Sequence, residues 1–354
     1  MKIIKDVGLK MLILIFFVGL VTVGLKHNKS AKPPELNTPS AKQDNTGFAS
    51  NDTRDKLSAL IDKVGPEKAY EQFKADFADK HFGVQHTAAH VMGELLYEKA
   101  GVKGLSVCDS TFAFGCYHSF FGRALAEQGL GIIPELDAAC IAKFGPLGTG
   151  CQHGIGHGLM EYFSHSGLLS ALDSCSATTQ KKALFGCTSG VFMEYNVPII
   201  VTDKDAFTQP RALDKTKPYE PCPKLPVKYH ESCYYEMAQW WDKENNFKDD
   251  YKKIGQLCQA IGEQPSRESC FLGAGNIAAP SSDYKVKEAI AKCKQMPSLE
   301  SQMTCQSGAS WSFYASVTYR NLAADVCKDL PADSQRRCVI KSDLIGEGRI
   351  NQNL

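Results

Sequence analysis

The chain has 354 residues, of which 43% are hydrophobic and 22% are charged, so its composition is that of a globular protein with one large domain or two ordinary ones. Its 40 Lys and Arg residues nearly balance its 39 Asp and Glu residues, which leaves a net charge of +1. This balance gives no electrostatic reason to expect a nucleic-acid partner or binding to an anionic membrane surface. The bulk charge therefore identifies no partner.

The N-terminus has the pattern of an export signal. Three lysines precede an uninterrupted apolar run from Met11 to Leu25, a run of 15 residues. That length suits the apolar region of a signal peptide better than a full membrane span of about 20 residues. Because no clear cleavage site follows, residues 1–25 are predicted to be either a signal peptide or an uncleaved anchor in the membrane. The protein is expected to be extracytoplasmic, whether periplasmic, secreted or membrane-anchored.

Two further regions follow the predicted signal. Residues 26–53 are rich in Lys, Pro, Ser and Asn and contain few large apolar side chains, so they are predicted to form a disordered tether. Residues 54–350 are predicted to form one repeat domain. Most of the histidines lie in its first half, residues 80–196, whereas residues 222–345 have the character of a scaffold.

The cysteines define the architecture. They number 14 and form seven successive couples, 8 to 12 residues apart within a couple, and the second cysteine of each couple recurs at intervals of 33 to 46 residues. Such self-similarity is typical of helical-hairpin repeats, and an exported chain meets conditions in which disulfides persist. A bond within a couple would contribute about 3 kcal/mol in the chain-entropy model, while bonds between neighbouring units are the alternative that spacing leaves open. The predicted pairs are Cys108–Cys116, Cys140–Cys151, Cys175–Cys187, Cys222–Cys233, Cys258–Cys270, Cys293–Cys305 and Cys327–Cys338.

Each couple is predicted to join two helices. The first cysteine ends a helical segment, and the second follows a small residue that is a common N-cap, so it is expected to open the second helix. A glycine comes three residues later in four units, at positions 154, 190, 273 and 308. Glycine costs about 1 kcal/mol relative to alanine inside a helix. Its recurrence therefore predicts the close approach of a neighbouring backbone or of a ligand.

The predicted fold is all-α. Residues 55–100 match the same frame without cysteines, which gives about eight hairpins of about 35 residues, arranged in a strongly curved superhelix or a closed α/α toroid. The period resembles tetratricopeptide arrays in general shape, but their aromatic and small-residue signature is missing, and no family is assigned. Between the fourth and fifth hairpins, the proline-containing stretch from Val197 to Pro221 is predicted to be a surface loop or a lid.

Two histidine stripes are the strongest functional signal. Each has the form His-x3-His-x3-Glu, which places its three side chains on one helical face, and imidazole with carboxylate suits Zn, Fe or Cu. The glutamate lies two turns, about 11 to 12 Å, from the first histidine, so one helix cannot supply all three ligands. The predicted centre takes His153 and His157 from one helix and adds His118, Glu94 or His86 from another. The glycines at 154, 156 and 158 are expected to leave space there for a substrate. The candidate metal ligands are His86, His90, Glu94, His118, His153, His157 and Glu161.

These patterns predict an exported repeat protein with a His/Glu metal centre, as found in metal-dependent hydrolases or oxidoreductases, and a small-molecule or peptide ligand on its concave face. The alternative is a protein- or peptide-binding scaffold of the cell envelope whose histidines serve packing. The chain has no nucleotide-binding or haem motif. Arg123 and Glu194 are substrate-binding candidates, although Arg123 also suits pairing with an acidic neighbour and Glu194 also suits a metal ligand or a solvated face. Whether the protein is an enzyme is left open.

Overall fold

The computed structural model describes residues 51–347 apart from 81, 113, 146–148, 180–183, 199–210, 246, 248–249 and 317. These described residues form fourteen α-helices and no strand, which confirms the all-α prediction. The predicted signal and residues 26–50 of the predicted tether lie outside them, and the first helix already begins at Asn51. None of the helices found in this part of the chain is long and apolar enough to cross a membrane.

After the first two α-helices, a longer α-helix is followed by a shorter α-helix or by a 3-10 segment before the next longer one. The α-helices are α1 (Asn51–Val64), α2 (Pro66–Phe77), α3 (Phe82–Ala100), α4 (Gly115–Gln128), α5 (Ile133–Phe144), α6 (Thr149–Phe163), α7 (Leu168–Ser174), α8 (Cys187–Asn196), α9 (His230–Asn245), α10 (Tyr251–Gln259), α11 (Gln264–Ala278), α12 (Val286–Cys293), α13 (Leu299–Ala315) and α14 (Ala332–Glu347). Short 3-10 helices take the place of a first α-helix in three units, at Gly101–Ser106, Cys222–Lys224 and Arg320–Cys327.

The longer helices form a continuous row. Helix α3 packs on α4, α4 on α6, α6 on α8, α8 on α9, α9 on α11, α11 on α13 and α13 on α14. The shorter helices α5, α7, α10 and α12 each pack on the long helix that follows them. Within the described residues, each of these shorter helices therefore packs on a longer one, and the longer helices are in contact with one another.

The seven disulfides all lie within the predicted couples. Their Cα atoms are 5.4 to 5.8 Å apart, and every cysteine of the chain takes part. The prediction of local pairing is confirmed, and the alternative of bonds between neighbouring units does not occur. A chain with seven disulfides is suited to an oxidising, extracytoplasmic compartment.

The predicted start of the second helix is right for some units and wrong for others. Helix α8 begins at Cys187, whereas α13 begins at Leu299, well before Cys305. In α13 the Ser298 side chain accepts from the Ser301 backbone N–H in a capping box, and this signal sets the helix start. The small residue before the later cysteine is then simply a position inside the helix.

The recurring glycines are explained by backbone contact. A methyl group on Gly190 would lie 1.9 Å from the carbonyl oxygen of His153, and the equivalent distances are 1.8 Å from Gly273 to Tyr235 and 2.0 Å from Gly308 to Leu272. No side chain fits at such distances. Of the two predicted reasons for the glycines, a neighbouring helix backbone is therefore the correct one at these three positions.

The predicted substrate space beside the glycines of α6 is wrong. A methyl group on Gly154 would lie 2.7 Å from the Phe121 ring, and one on Gly156 would lie 2.0 Å from the carbonyl oxygen of Cys187. A methyl group on Gly158 would meet the backbone of α4 at 2.9 Å. These glycines therefore bring α4, α6 and α8 into direct contact, and the room that they leave is filled by those helices.

The described end of the insertion packs against α9. The Arg211 guanidinium lies over the Trp240 ring at 3.7 Å, and the Trp241 indole N–H donates to the Pro218 carbonyl at 2.8 Å. Both tryptophans are fully buried, as expected for core residues. Residues 199–210, in which a lid was the alternative prediction, are outside the described residues.

Candidate metal centre

Five imidazoles from α3, α4 and α6 lie in one continuous series. The centroids of successive rings are 4.6 Å apart from His86 to His90, 5.4 Å from His90 to His118, 4.5 Å from His118 to His157 and 4.7 Å from His157 to His153. Four of the rings are buried, and that of His86 is partly buried. The structure thus brings together all five histidines that occupy equivalent repeat positions.

Close helix packing creates this series. The spacing of four residues puts each pair of histidines on one face of α3 or α6. A methyl group on Gly93 of α3 would lie 2.0 Å from the carbonyl oxygen of Cys116 in α4. Because α3 and α6 both approach α4 at backbone distance, the single histidine of α4, His118, contacts both pairs.

The first three imidazoles converge on a common point. His86 Nε2 lies 3.1 Å from His90 Nε2, and His118 Nδ1 lies 3.3 Å from His90 Nε2. One ligand nitrogen from each ring falls within 4.8 Å of the other two. Since Zn–N bonds are about 2.0 to 2.1 Å long, the nitrogens of a tetrahedral site are separated by about 3.3 to 3.4 Å. The two closest separations are therefore near those of a three-imidazole metal site.

Hydrogen bonding orients His86 for such a role. Its Nδ1 lies 2.8 Å from the Phe112 carbonyl, which can only accept, so Nδ1 carries the proton and Nε2 presents a lone pair. His90 Nε2 faces this lone pair and also His118 Nδ1, and it has at most one proton for the two contacts. A bound cation would use all three lone pairs at once. Metal-ligating histidines commonly donate their other ring N–H to a carbonyl or carboxylate, as His86 does here.

The remaining two imidazoles form a similar pair. His153 Nε2 and His157 Nε2 are 3.0 Å apart. Their outer nitrogens lie 2.8 Å from Ser189 Oγ and 2.8 Å from Glu194 Oε2, respectively, both on α8. The Phe185 ring stacks on His153 with 4.2 Å between centroids. Glu194, predicted to contact a substrate or a metal, thus contacts a histidine of the centre through its Nδ1.

Burial keeps all five imidazoles neutral. It is the main cause that lowers the pKa of each ring, and for His157 it lowers the pKa to about 3, with a smaller contribution from repulsion by His86. At neutral pH every ring therefore has one nitrogen lone pair available. Neutral imidazole is the form that binds a metal ion.

The two stripe glutamates do not join the imidazole series. The Glu94 carboxylate accepts from the Arg54 guanidinium of α1 at 2.8 Å, and burial raises its pKa despite this partner. The Glu161 carboxylate lies directly against Gly122 of α4. In the described part of the chain, the group of three possible ligands contains neither glutamate. Each glutamate is two helical turns from the first histidine of its stripe, which is too far for both to bind one ion.

Arg123 lies among acidic side chains. Its Nε is 3.7 Å from a Glu98 oxygen and 3.8 Å from a Glu127 oxygen, and its side chain is 40% exposed. This placement corresponds to the ion-pair alternative that was considered for it. Its role toward a substrate remains a prediction that the structure does not test.

Three contacts of the centre were not foreseen from the sequence: the Phe112 carbonyl, the Ser189 hydroxyl and the Phe185 ring. A signal existed for Ser189, because it occupies the same position after Cys187 as His153 does after Cys151. Side chains at equivalent positions of neighbouring hairpins meet in this fold. Backbone carbonyls and loop rings carry no comparable repeat signal.

Comparisons with protein-family models, with curated proteins and with solved structures give no match to this chain. The arrangement of the five imidazoles is therefore the basis for the functional proposal.

Proposed function

We propose that this protein binds a transition-metal ion through His86, His90 and His118. The observation that carries this proposal is the convergence of one nitrogen from each ring within 4.8 Å, in a buried place between two helices. Three imidazoles with an open fourth position are typical of catalytic zinc sites. Zn is the first choice, and Fe or Cu also suit imidazole ligands.

The proposed setting is an exported repeat protein of about eight hairpins in a strongly curved superhelix or closed toroid. Curvature is supported by the edge contact of the Phe185 ring with the Trp311 ring, whose centroids are 5.8 Å apart. Phe185 lies two residues before the start of α8 and Trp311 belongs to α13, so segments distant in the chain are in contact. Export rests on the N-terminal signal pattern and on the seven disulfides.

The proposed chemistry is hydrolysis or oxidation of a small molecule or peptide held on the inner side of the array. A bound Zn²⁺ would supply a water molecule of lowered pKa, while Fe or Cu would supply redox chemistry. His157 lies beside His118, and Glu194 orients its ring.

A second candidate function is a peptide-binding scaffold with structural histidines. It is supported by a possible network without metal, in which the Ser189 hydroxyl turns from the Gly186 carbonyl to donate to His153, His153 donates to His157, and His157 donates to Glu194. In that network each imidazole between α6 and α8 has both nitrogens satisfied. The two candidates differ in metal content, which is directly measurable.

The test is metal analysis of untagged protein produced in an oxidising compartment. We expect the His86→Ala/His90→Ala variant to lose one equivalent of metal relative to the parent. The matched control is His165→Ala, because His165 is exposed and its ring contacts the Tyr195 carbonyl away from the centre. Equal metal content in the parent and the folded double variant, or no metal in the parent after reconstitution with Zn²⁺, Fe²⁺ and Cu²⁺, would contradict the proposal.

A further inference from the structure

We infer that His153 and His157 form a second metal-binding position, separate from the group of His86, His90 and His118. This inference extends the proposed function, on which it rests for the view that the imidazole series is a metal centre. It predicts two ions per chain and gives Ser189 and Glu194 a specific role. The ligand class is a borderline divalent cation, with Zn²⁺ as the first choice, because both donors are imidazoles.

The geometry of the pair is that of a chelate. The two residues are four apart on α6, and their Nε2 atoms are 3.0 Å from each other. This separation is slightly below the edge of about 3.3 to 3.4 Å in a tetrahedral zinc site. Adjustment of the two side chains by a few tenths of an ångström therefore suffices to admit an ion.

The protons on the outer nitrogens leave both Nε2 atoms as acceptors. Glu194 Oε2 accepts from His157 Nδ1 at 2.8 Å, so the lone pair of that ring is on Nε2. Ser189 Oγ lies 2.8 Å from His153 Nδ1, and its one proton is donated to the Gly186 carbonyl. Ser189 Oγ therefore accepts from His153, which puts the proton of that ring on Nδ1. Two lone pairs then face each other, and a cation between them removes their repulsion.

The supporting residues are built into a buried position. Ser189 is fully buried and Glu194 is 5% exposed. Ser189 Oγ accepts from the Gly186 backbone N–H at 3.1 Å and donates to the Gly186 carbonyl at 2.9 Å, so its position is fixed within the first turn of α8. Gly156 and Gly190 have no side chain and so allow the backbones of α6 and α8 to come into direct contact. Hydroxyl and carboxylate partners of this kind set the tautomer and orientation of metal-ligating histidines.

His118 is a proposed ligand of the first group, whereas it only contacts the pair of His153 and His157. The rings of His118 and His157 are in contact, with 4.5 Å between centroids. The second position thus borders the first, while its two histidine donors belong to α6 alone. The remaining coordination positions are left for solvent or for an oxygen of a bound substrate, as in two-metal hydrolytic sites.

The experiment is a titration of the metal-free, disulfide-intact protein with ZnCl₂, followed by equilibrium dialysis and elemental analysis. We expect two equivalents for the parent and for the His165→Ala control. We expect one equivalent for His86→Ala/His90→Ala and one for His153→Ala/His157→Ala. Far-UV circular dichroism and thiol counts show whether each variant is folded and oxidised.

A conservative variant tests the pair if the double variant does not fold. Glu194→Gln keeps the shape of the side chain but removes its charge, and we expect it to weaken one of the two equivalents by about 10- to 100-fold while the other is unchanged. Equal weakening of both equivalents would overturn the assignment of Glu194 to a separate position.

The outcomes separate this inference from the proposed function. One equivalent in the parent that is lost only with His86 and His90 would overturn the second position and leave the first. One equivalent lost only with His153 and His157 would retain the inferred position and overturn the first. One equivalent lost in either double variant would mean a single shared site and overturn the inference, and no binding at all would overturn both.

Discussion

The early and late hairpins use the same helix positions for different purposes. Two residues after the second cysteine, the early long helices carry His118 and His153, whereas α9 and α11 carry Tyr235 and Leu272. The imidazoles contact one another and α8, while the later side chains join Trp311 in an apolar cluster. The backbone contacts are the same in both regions, since glycine meets a neighbouring carbonyl in each. The backbone contacts are thus shared by the two regions, and the side chains at these positions distinguish them.

The largest change in unfolding free energy is expected when a disulfide is removed, and two such variants should differ in metal content. Replacing Cys293 and Cys305 by serine opens a closed loop in the later region and should lower the free energy of unfolding by about 2 to 5 kcal/mol. The metal content of this variant should be that of the parent. Removing Cys140–Cys151 should cost a similar amount and also reduce metal content, because it loosens the start of α6, two residues before His153. Urea unfolding and elemental analysis measure the two effects. Equal metal content in both variants would show that the centre does not depend on its local disulfide.

A matched glycine pair tests the same distinction without touching a cysteine. Gly190→Ala and Gly273→Ala each place a methyl group within 2 Å of a carbonyl oxygen, so each should cost about 1 to 3 kcal/mol or more. Only Gly190→Ala displaces the backbone of His153, and only this variant should bind metal more weakly. Thermal unfolding and zinc titration measure the outcome. Loss of metal in the Gly273→Ala protein would contradict the separation of the two regions.

The metal-free centre should also make the early region sensitive to acid. Burial lowers the pKa of His157 from its ordinary 6.5 to about 3. Between these two pH values the unfolded chain binds a proton at this residue and the folded chain does not, so stability is full above pH 6.5 and falls as the pH drops. His157→Gln should flatten this dependence. The measurement is urea unfolding of both metal-free proteins from pH 7.5 to 4, and parallel pH curves would contradict the prediction.

The sequence predicted the fold better than the details of the site. Cysteine spacing predicted a helical array and favoured the local pairing, although bonds between neighbouring units fitted the same spacing. The stripes identified four of the five histidines and the position after the second cysteine identified His118, while the stripes also added Glu94 and Glu161 as candidate ligands. Glu94 instead bonds Arg54 of α1, a partner that lies outside the cysteine-spaced repeats and so had no sequence signal. Likewise, the glycines beside the histidines of α6 suggested a cavity, whereas in the structure they allow neighbouring helices to approach closely.

The smallest effect is expected at Arg123, an exposed position of α4. Arg123 is 40% exposed and only 3.7 to 3.8 Å from its acidic neighbours, so Arg123→Ala should change the unfolding free energy by about 0 to 1 kcal/mol. It sits one residue after Gly122, on the same helix as His118, which makes it a close control for the centre. Metal content and zinc affinity should be those of the parent. A marked loss of either would mean that Arg123 acts on the centre through α4, so that an exposed side chain of this helix contributes to metal binding.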